Sequence, residues 1–595
     1  MESLSQSLAR RASLPVILIA AVIQGCLLYA LHHSIDAHQW PATHLAWLVA
    51  LYAVVFLIPT TVQLMVEYAE RSSLWVLAGL LAVAIFYFGW HHGGAVADID
   101  TREFARRGQY FSLAVVLLVW WLLTLPFLQS RVASGAWRVD YARLFAFAWR
   151  NVITLTEAAL FTGLFWLILF LWQSLFQMLG FDFFRILFEK PIFVYPVTAI
   201  VFGCALHLIG SIDAMVSAVL EQLLNVLKWL ATVAGVLLVL FTFSLLTKLP
   251  ELVYSGRRAI GAAWLLWLVA VIVLLLNAAY RDGKVDRPYP RWVAQALRYA
   301  VPLTIMIAAT AVYALMVRSR QYGLTVERVW AFIVVGAALV YSVGYSIAAF
   351  RRGPWLAMAS RVNVMVAVGL IVVIGAALTP LVSPYRLAAN SQYQLILHAG
   401  YAAVMQARSG ETPFAYLASQ SGNYGRRKLQ RLATLQGRAD AGQIRDLAAQ
   451  ALKQIYPWQL SVSPADSRAV VAKLPLYPTG RTLDADLSQR LAADWSRYNP
   501  LIGPANVAQT TAGVFIDLDG DGVDEFVLLS AGGGPVYQNH RGHWGYVGRL
   551  YPDGMTASWP ALVKELSGGS ITAVVPPWKN LALGDHRYRM LPRPY

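Results

Sequence analysis

Long runs of apolar residues follow one another along the chain and stop abruptly at Pro384. A helix of about 20 apolar residues crosses a hydrocarbon core of about 30 Å. Runs of that length predict eleven membrane spans, near 14–32, 45–66, 73–91, 110–129, 152–179, 191–211, 226–248, 259–280, 299–317, 329–349 and 362–383. The pattern over 212–228 fits either an amphipathic linker or a prolongation of a flanking helix.

After Pro384 the pattern becomes that of an ordinary polar domain. Helical spacing of apolar residues predicts helices up to Pro457, and the short runs VFIDL, EFVLLS, GYVGRL and ITAVV predict strands beyond it, with one helix at 486–496. The predicted fold class is a polytopic α-helical membrane bundle followed by a soluble α+β domain. The predicted boundaries are 1–383 for the bundle, 384–457 for a helical soluble segment and 458–595 for a β-rich soluble segment.

Composition supports a lipid environment. The chain is 58% hydrophobic and only 13% charged, and its mean hydropathy of +0.53 is too high for a soluble protein of this length. The net charge of +16 fits cationic loops that face anionic lipid, so the lipid bilayer is the expected partner and nucleic acid is not. Both cysteines fall inside apolar runs, which leaves the soluble domain without a disulfide.

Loop charges predict the orientation. With the N-terminus in the cytoplasm, cytoplasmic loops hold sixteen Lys and Arg residues and the opposite loops hold eleven, which is the expected direction of bias. An odd number of spans then places residues 384–595 outside the cytoplasm.

An acidic loop, DLDGDGVDE, gives the soluble domain its clearest chemistry. Asp517, Asp519, Asp521 and Glu525 occupy loop positions one, three, five and nine, and the Val523 carbonyl falls at position seven. Calcium takes six to eight hard oxygen ligands, and this spacing wraps them around one point. We therefore predict a structural calcium ion at these five residues; the alternative is a metal-free surface turn.

The loop departs from an EF-hand. Position twelve, where an EF-hand has a bidentate Glu, is Leu528, and the flanking runs VFI and FVLL are β-like rather than helical. The loop instead resembles the calcium-binding hairpin of FG-GAP and related β-blade repeats.

Two further stretches resemble a known family. RSRQYGLTVERVW at 318–330 and PFAYLASQSGNYGRRKLQRLATL at 413–435 are similar to the uncharacterised family 4153, a "domain of unknown function" family of bacterial inner-membrane proteins. The resemblance implies a multi-pass location in the bacterial inner membrane, and it brings no activity. In that membrane, the C-terminal domain that the loop charges place outside the cytoplasm would be periplasmic. It singles out the loop residues Arg318, Gln321, Tyr322, Gly323 and Arg328, whose simpler interpretation is a tight turn with arginines at lipid headgroups.

Ionisable residues within spans are functional candidates because a charge in lipid costs a few kcal/mol. Glu157 and His207 fall at similar depth in consecutive spans, with Asp213 at the end of the second, and this placement predicts a polar site in which Glu157 and His207 share a proton. The alternatives are a buried structural hydrogen bond or side chains that reach the interface.

No catalytic motif is present: the sequence lacks G-x-S-x-G, a P-loop, H-E-x-x-H and C-x-x-C, so an enzyme is not expected. The leading hypothesis is a transporter or permease-like bundle that carries a calcium-stabilised periplasmic domain. The alternatives are an envelope scaffold or sensor that binds an envelope protein partner, and a membrane transferase for a lipid-linked substrate with Asp98, Asp100, Arg102 and Glu103 as candidates.

Overall fold

The computed structural model describes most of the chain. The described residues are 2–97, 103–137, 139–210, 213–254, 262–283, 288–351, 355–356, 358, 359–406, 412–453, 464–498, 511–530, 533–540, 542–550, 559–568, 571, 573, 581–583 and 586–588. They form two compact units, the first comprising Met1–Gln394 with Gln420–Lys428, and the second Leu395–Ser419 with Leu429–Tyr595.

Within the described ranges, eleven helical segments are long and apolar enough to cross a membrane, which confirms the predicted polytopic bundle. The helices before Pro384 are α1 Glu2–Asp36, α2 Leu45–Leu64, α3 Ser72–Val96, α4 Glu103–Ser134, α5 Tyr141–Met178, α6 Phe183–Glu189, α7 Pro191–Gly210, α8 Asp213–Tyr254, α9 Ala262–Tyr280, α10 Arg291–Ala300, α11 Leu303–Tyr322, α12 Val326–Phe350 and α13 Ala359–Ala377. The short helix α6 is not a span, and α10 and α11 together form one.

Apolar faces of these helices pack into two main clusters. One cluster contains residues of all six helices from α8 through α13, and the other contains residues of α2, α3, α4 and α13. Small residues bring α2 and α3 together, because a Cβ atom on Gly93 would lie 2.8 Å from the Cα atom of Ala46. Lipid tails are as apolar as the side chains, so close packing of this kind, rather than hydrophobic transfer, stabilises the bundle.

Several helices extend beyond their predicted spans, α5 and α8 among them. Helix α8 begins at Asp213, so the segment over 213–228 prolongs the following helix, one of the two interpretations left open by its pattern. Helix α5 begins at Tyr141, eleven residues before the predicted apolar run, and its Asp140 cap accepts a hydrogen bond from Ala142 N at 3.1 Å. The first turns of these two helices are thus helical although they contain polar residues, which an apolar run does not include.

The chain after Pro384 contains helices and a small sheet, as predicted. The helices are α14 Pro384–Gln406, α15 Pro413–Ser419, α16 Gly422–Ala433, α17 Ala441–Lys453, α18 Pro464–Ala472, α19 Ala485–Tyr498 and α20 Trp559–Ser567. The strands are β1 Leu476–Tyr477, β2 Thr511–Ile516, β3 Glu525–Ser530, β4 Gly534–His540, β5 His543–Leu550, β6 Leu581–Leu583 and β7 His586–Tyr588. Most of the predicted ITAVV strand lies outside the described residues.

The five-stranded sheet runs in the order β1-β2-β3-β4-β5, in which β1 and β2 are parallel and the other pairs are antiparallel. Its core packs aromatic residues of the strands, among them Phe526, Tyr537 and Trp544, against Leu487 and Leu491 of α19. This core supports the hairpin that joins β2 to β3, and the acidic loop is the tip of that hairpin.

Candidate metal centre

The acidic loop is held between two paired strands. Ile516 at the end of β2 lies opposite Glu525 at the start of β3 in the antiparallel register. Gly520 and Gly522 have φ angles of +81° and +85°, a conformation that residues with a Cβ rarely adopt. The two glycines therefore allow the chain to turn back over the acidic side chains.

The carboxylates order the loop through hydrogen bonds from its backbone. Asp517 accepts from Gly520 N at 2.7 Å and from Gly522 N at 3.0 Å, and Asp521 accepts from Val523 N at 2.8 Å. Asp side chains that accept hydrogen bonds from backbone N–H groups a few residues later in the chain are typical of turns that favour Asp and Gly.

Three of the four predicted carboxylate ligands come together. One oxygen from each of Asp517, Asp519 and Glu525 lies within 4.8 Å of the others. Glu525 is only 3% exposed; its Oε2 atom accepts a hydrogen bond from Leu518 N at 2.7 Å. Its buried Oε1 atom has no hydrogen-bond partner among the described residues. A buried carboxylate oxygen without a partner is costly, and a hard cation would satisfy it together with the two Asp side chains.

The other residues of the loop have different roles. Asp521 is not part of the three-carboxylate group, and Asp524 forms an ion pair with Arg481. Gln538 of β4 donates to Asp519 Oδ2 at 2.8 Å and so orients that carboxylate. Coordination by Asp521 and by the Val523 carbonyl stays a prediction.

The turn between α11 and α12, which contains Tyr322 and Gly323 of the loop residues singled out from the sequence, is held by side chains of α14. Gln392 Nε2 donates to the carbonyls of Tyr322 at 3.0 Å and Leu324 at 2.9 Å, and Leu324 N donates to Ser391 Oγ at 2.8 Å. Gly323 between them has φ +72° and ψ 175°, a region that essentially only glycine adopts. The turn is therefore a fixed backbone feature.

Arg328 completes this turn. Its guanidinium donates to the Gly323 carbonyl and lies over the Tyr322 ring, 5.8 Å from the centroid. Gln321 and Arg318 are both exposed. These contacts support the simpler interpretation of the family-like residues, a tight turn that joins two helices, and they assign no ligand to it.

The predicted intramembrane pair is not joined by a contact. No hydrogen bond or ion pair between Glu157 and His207 occurs in the described structure, although α5 and α7 pack together through Ile153, Ala158 and Ala205. His207 follows Ala205 by two residues, which is about 200° around a helix, so its side chain leaves α7 on a different side. Proton sharing stays a prediction that this geometry disfavours.

Five of the sequence-predicted candidates lie outside the part of the chain whose side chains the structure describes. The side chains of Asp213 and Glu103 lie outside the described residues, as do Asp98, Asp100 and Arg102. The transferase alternative therefore gains no geometric support.

Sequence analysis missed neutral polar groups inside the bundle. Gln129 of α4 and Asn151 of α5, 4% and 3% exposed, exchange two hydrogen bonds of 2.9 and 2.8 Å. A second network joins four helices through hydrogen bonds of 2.6 to 2.9 Å; its members are Tyr141, Asn277, Tyr345 and Asn363. Amide and phenol side chains carry no charge, so a search for ionisable residues within the spans does not find them. The only signal in the sequence is an amide or a tyrosine inside or next to an apolar run.

No protein-family model, curated protein or solved structure matches this chain. Function is therefore inferred from the geometry of the acidic loop and from the polar atoms of the bundle.

Proposed function

We propose that this chain is a multi-pass membrane protein of the bacterial inner membrane whose C-terminal domain binds a structural calcium ion through Asp517, Asp519 and Glu525. The observation that supports this proposal concerns Glu525, a member of the three-carboxylate group. Its Oε1 atom is buried and has no hydrogen-bond partner among the described residues. A surface turn without metal would leave a buried anion beside two other carboxylates.

The donor set selects calcium among the common metals. Zinc and the later transition metals prefer His and Cys ligands, whereas this group offers carboxylate oxygens alone. Magnesium requires near-ideal octahedral geometry at 2.0–2.1 Å and usually retains several waters, whereas calcium tolerates the irregular geometry of a turn. Periplasmic placement of the loop, as the odd span number predicts, would expose it to a calcium-rich solution.

Calorimetric titration of the full chain in detergent, after treatment with chelator, tests calcium binding. One calcium per chain is expected, together with a higher melting temperature of the second unit in calcium than in chelator. A chain that binds no calcium would contradict the proposal. A reporter fused after Tyr595 tests the placement separately: activity of a cytoplasm-dependent fluorescent reporter there would contradict the periplasmic orientation.

We also propose a permease-like role for the bundle. Polar side-chain atoms of Gln63, Ser130, Thr154 and Glu157 are buried and have no hydrogen-bond partner among the described residues. Each such atom costs about 1 to 3 kcal/mol, so a bundle that served only as an anchor would gain stability from apolar residues here. Water or a polar solute that reached these atoms would satisfy them.

Cysteine accessibility tests this role without a known substrate. Cys26 and Cys204 are first replaced by Ala, and Thr154→Cys is then treated with a charged, membrane-impermeant thiol reagent. Labelling of Thr154→Cys is expected to exceed that of the control Ala158→Cys, since Ala158 is fully buried in apolar packing. Equal, background labelling of both variants would refute an aqueous path and leave the scaffold alternative.

A further inference from the structure

Residues 420–428 belong to the first unit and pack on the end of the bundle where α3 and α13 finish. Asn423 Nδ2 donates to the carbonyl of Gly94, and the hydroxyl of Tyr424 lies 3.2 Å from His91 Nε2. The other ring nitrogen of His91, Nδ1, lies 2.9 Å from the Leu378 carbonyl, so it carries hydrogen and Nε2 of the neutral ring accepts from Tyr424. The segment is thus fixed at the boundary of the spans.

The height of this segment relative to the bilayer follows from its partners. Gly94 is two residues before the end of α3, and Leu378 directly follows α13. Both helices are spans, and polar lipid headgroups begin where the hydrocarbon-crossing part of a helix ends. Residues 420–428 therefore lie at the level of the headgroups.

Two arginines of this segment, Arg426 and Arg427, are exposed. Arg427 follows Asn423 by one helical turn, so it lies on the face of α16 that contacts the bundle, yet both Arg426 and Arg427 are exposed. The neighbouring Lys428 is 4.7 Å from the centre of the Tyr393 ring, which holds this part of α16 against α14. Both arginines are therefore accessible at this end of the bundle.

We propose that Arg426 and Arg427 form a binding site for the phosphate of an anionic phospholipid. A guanidinium presents a planar fork of donors that matches phosphate oxygens, and cations close to an anionic leaflet are attracted to it. Exposed Arg386, at the start of α14, and exposed Arg320, at the end of α11, add positive charge at the same end of the unit. Free phosphate has the same chemistry, but only a lipid phosphate is concentrated at this depth.

The test counts lipids bound to the full chain by native mass spectrometry, with phosphatidylglycerol and phosphatidylcholine offered separately in neutral detergent. The unmodified chain is expected to bind phosphatidylglycerol preferentially. Each cation near an anionic surface contributes about a factor of five in affinity, so Arg426→Gln and Arg427→Gln are each expected to weaken binding about fivefold and the double variant about 25-fold. Melting temperatures in phosphatidylcholine verify that the variants fold.

The matched control is the double variant Arg445→Gln and Arg468→Gln, which removes the same charge from exposed positions of the second unit and is expected to retain phosphatidylglycerol. The proposal is overturned if the Arg426 and Arg427 variants bind this lipid as the unmodified chain does, or if the control loses it equally. Inorganic phosphate that displaces the lipid at equal phosphate concentration would assign the site to the free anion and overturn the lipid proposal.

Discussion

Replacing Glu525 by Gln separates the metal-binding and folding roles of this side chain. Gln has nearly the same volume and still offers an oxygen to Leu518 N, whose hydrogen bond to Glu525 Oε2 is 2.7 Å. It replaces the second oxygen, Oε1, by an amide nitrogen that cannot bind a cation. The substitution therefore removes one calcium ligand and one buried negative charge without creating a cavity.

The two effects of Glu525→Gln have opposite signs. In chelator, the variant is expected to melt at or above the temperature of the unmodified chain, because a buried unpaired carboxylate oxygen is removed. In calcium at a hundredfold above Kd, the unmodified chain gains about 2.7 kcal/mol that the variant lacks. For a second unit of about 190 residues, that energy raises the melting temperature by about 5 to 11 °C.

The assay is thermal unfolding of the full chain in detergent, in calcium and in chelator, together with calorimetric titration of calcium. Asp524→Asn is the matched control: it removes a carboxylate of the same loop that pairs with Arg481 rather than with the group of three, and it is expected to keep the calcium-dependent rise. An unmodified chain with one melting temperature in both solutions would refute the metal site. Unchanged calcium affinity of Glu525→Gln would refute its assignment as a ligand.

Three further outcomes are expected. Gln129→Leu or Asn151→Leu alone leaves a buried amide without its partner and should cost about 1 to 3 kcal/mol, whereas the double variant should melt close to the unmodified chain; equal losses in all three would contradict this pairing. Gly323→Ala places a Cβ atom 2.7 Å from Gln392 Nε2, at a backbone conformation that costs a residue with a Cβ about 1 to 3 kcal/mol. The melting temperature of this variant in detergent should therefore fall, and an unchanged melting temperature would refute the predicted strain. A hydrogen bond from a backbone N–H holds the pKa of Asp486 below its usual value. The stabilisation from this carboxylate is complete above the unfolded pKa of about 4 and is lost as pH falls through the folded pKa. Asp486→Asn should therefore reduce the pH dependence of the unfolding free energy in this range, and an unaltered pH dependence would contradict the assignment.

The membrane bundle could be predicted from the sequence because its pattern has a physical length scale. A hydrocarbon core of fixed thickness requires apolar runs of about 20 residues, and the eleven predicted runs all correspond to helical spans. The ends were less well predicted, since a helix continues into polar turns once its backbone hydrogen bonds are formed. Helix α8, with 42 residues, is the extreme case.

The soluble domain was predicted less completely. The acidic loop and its flanking strands were found because alternation and turn residues agree there, but α18, β4 and α20 were not. The β4 sequence GPVYQNH contains Gly and Pro, which ordinarily indicate a turn, and its strand is stabilised by pairing with β3 and β5. Pairing with neighbouring strands is a tertiary effect, and the periodicity of a strand's own sequence does not indicate it.

The loop spacing indicated which carboxylates were candidates but not how they would divide their roles. Asp517, Asp519 and Glu525 converge, whereas Asp521 accepts from Val523 N and Asp524 pairs with Arg481. The decisive feature, burial of Glu525, depends on the β2–β3 register that places it opposite Ile516. Only the packed sheet could distinguish a ligand from a neighbour that orders the turn.

The metal proposal and the membrane orientation constrain each other physically. A loop that offers three converging carboxylates and has no dedicated cage is suited to the weak calcium affinities of extracellular modules, about 10⁻⁴ to 10⁻³ M, rather than to the tighter sites of cytosolic sensors. Such a site would fill outside the cytoplasm and stay empty within it. Calcium affinity therefore bears on orientation independently of loop charges: a weak site combined with a cytoplasmic reporter signal would show that calcium is not the structural ion of this loop.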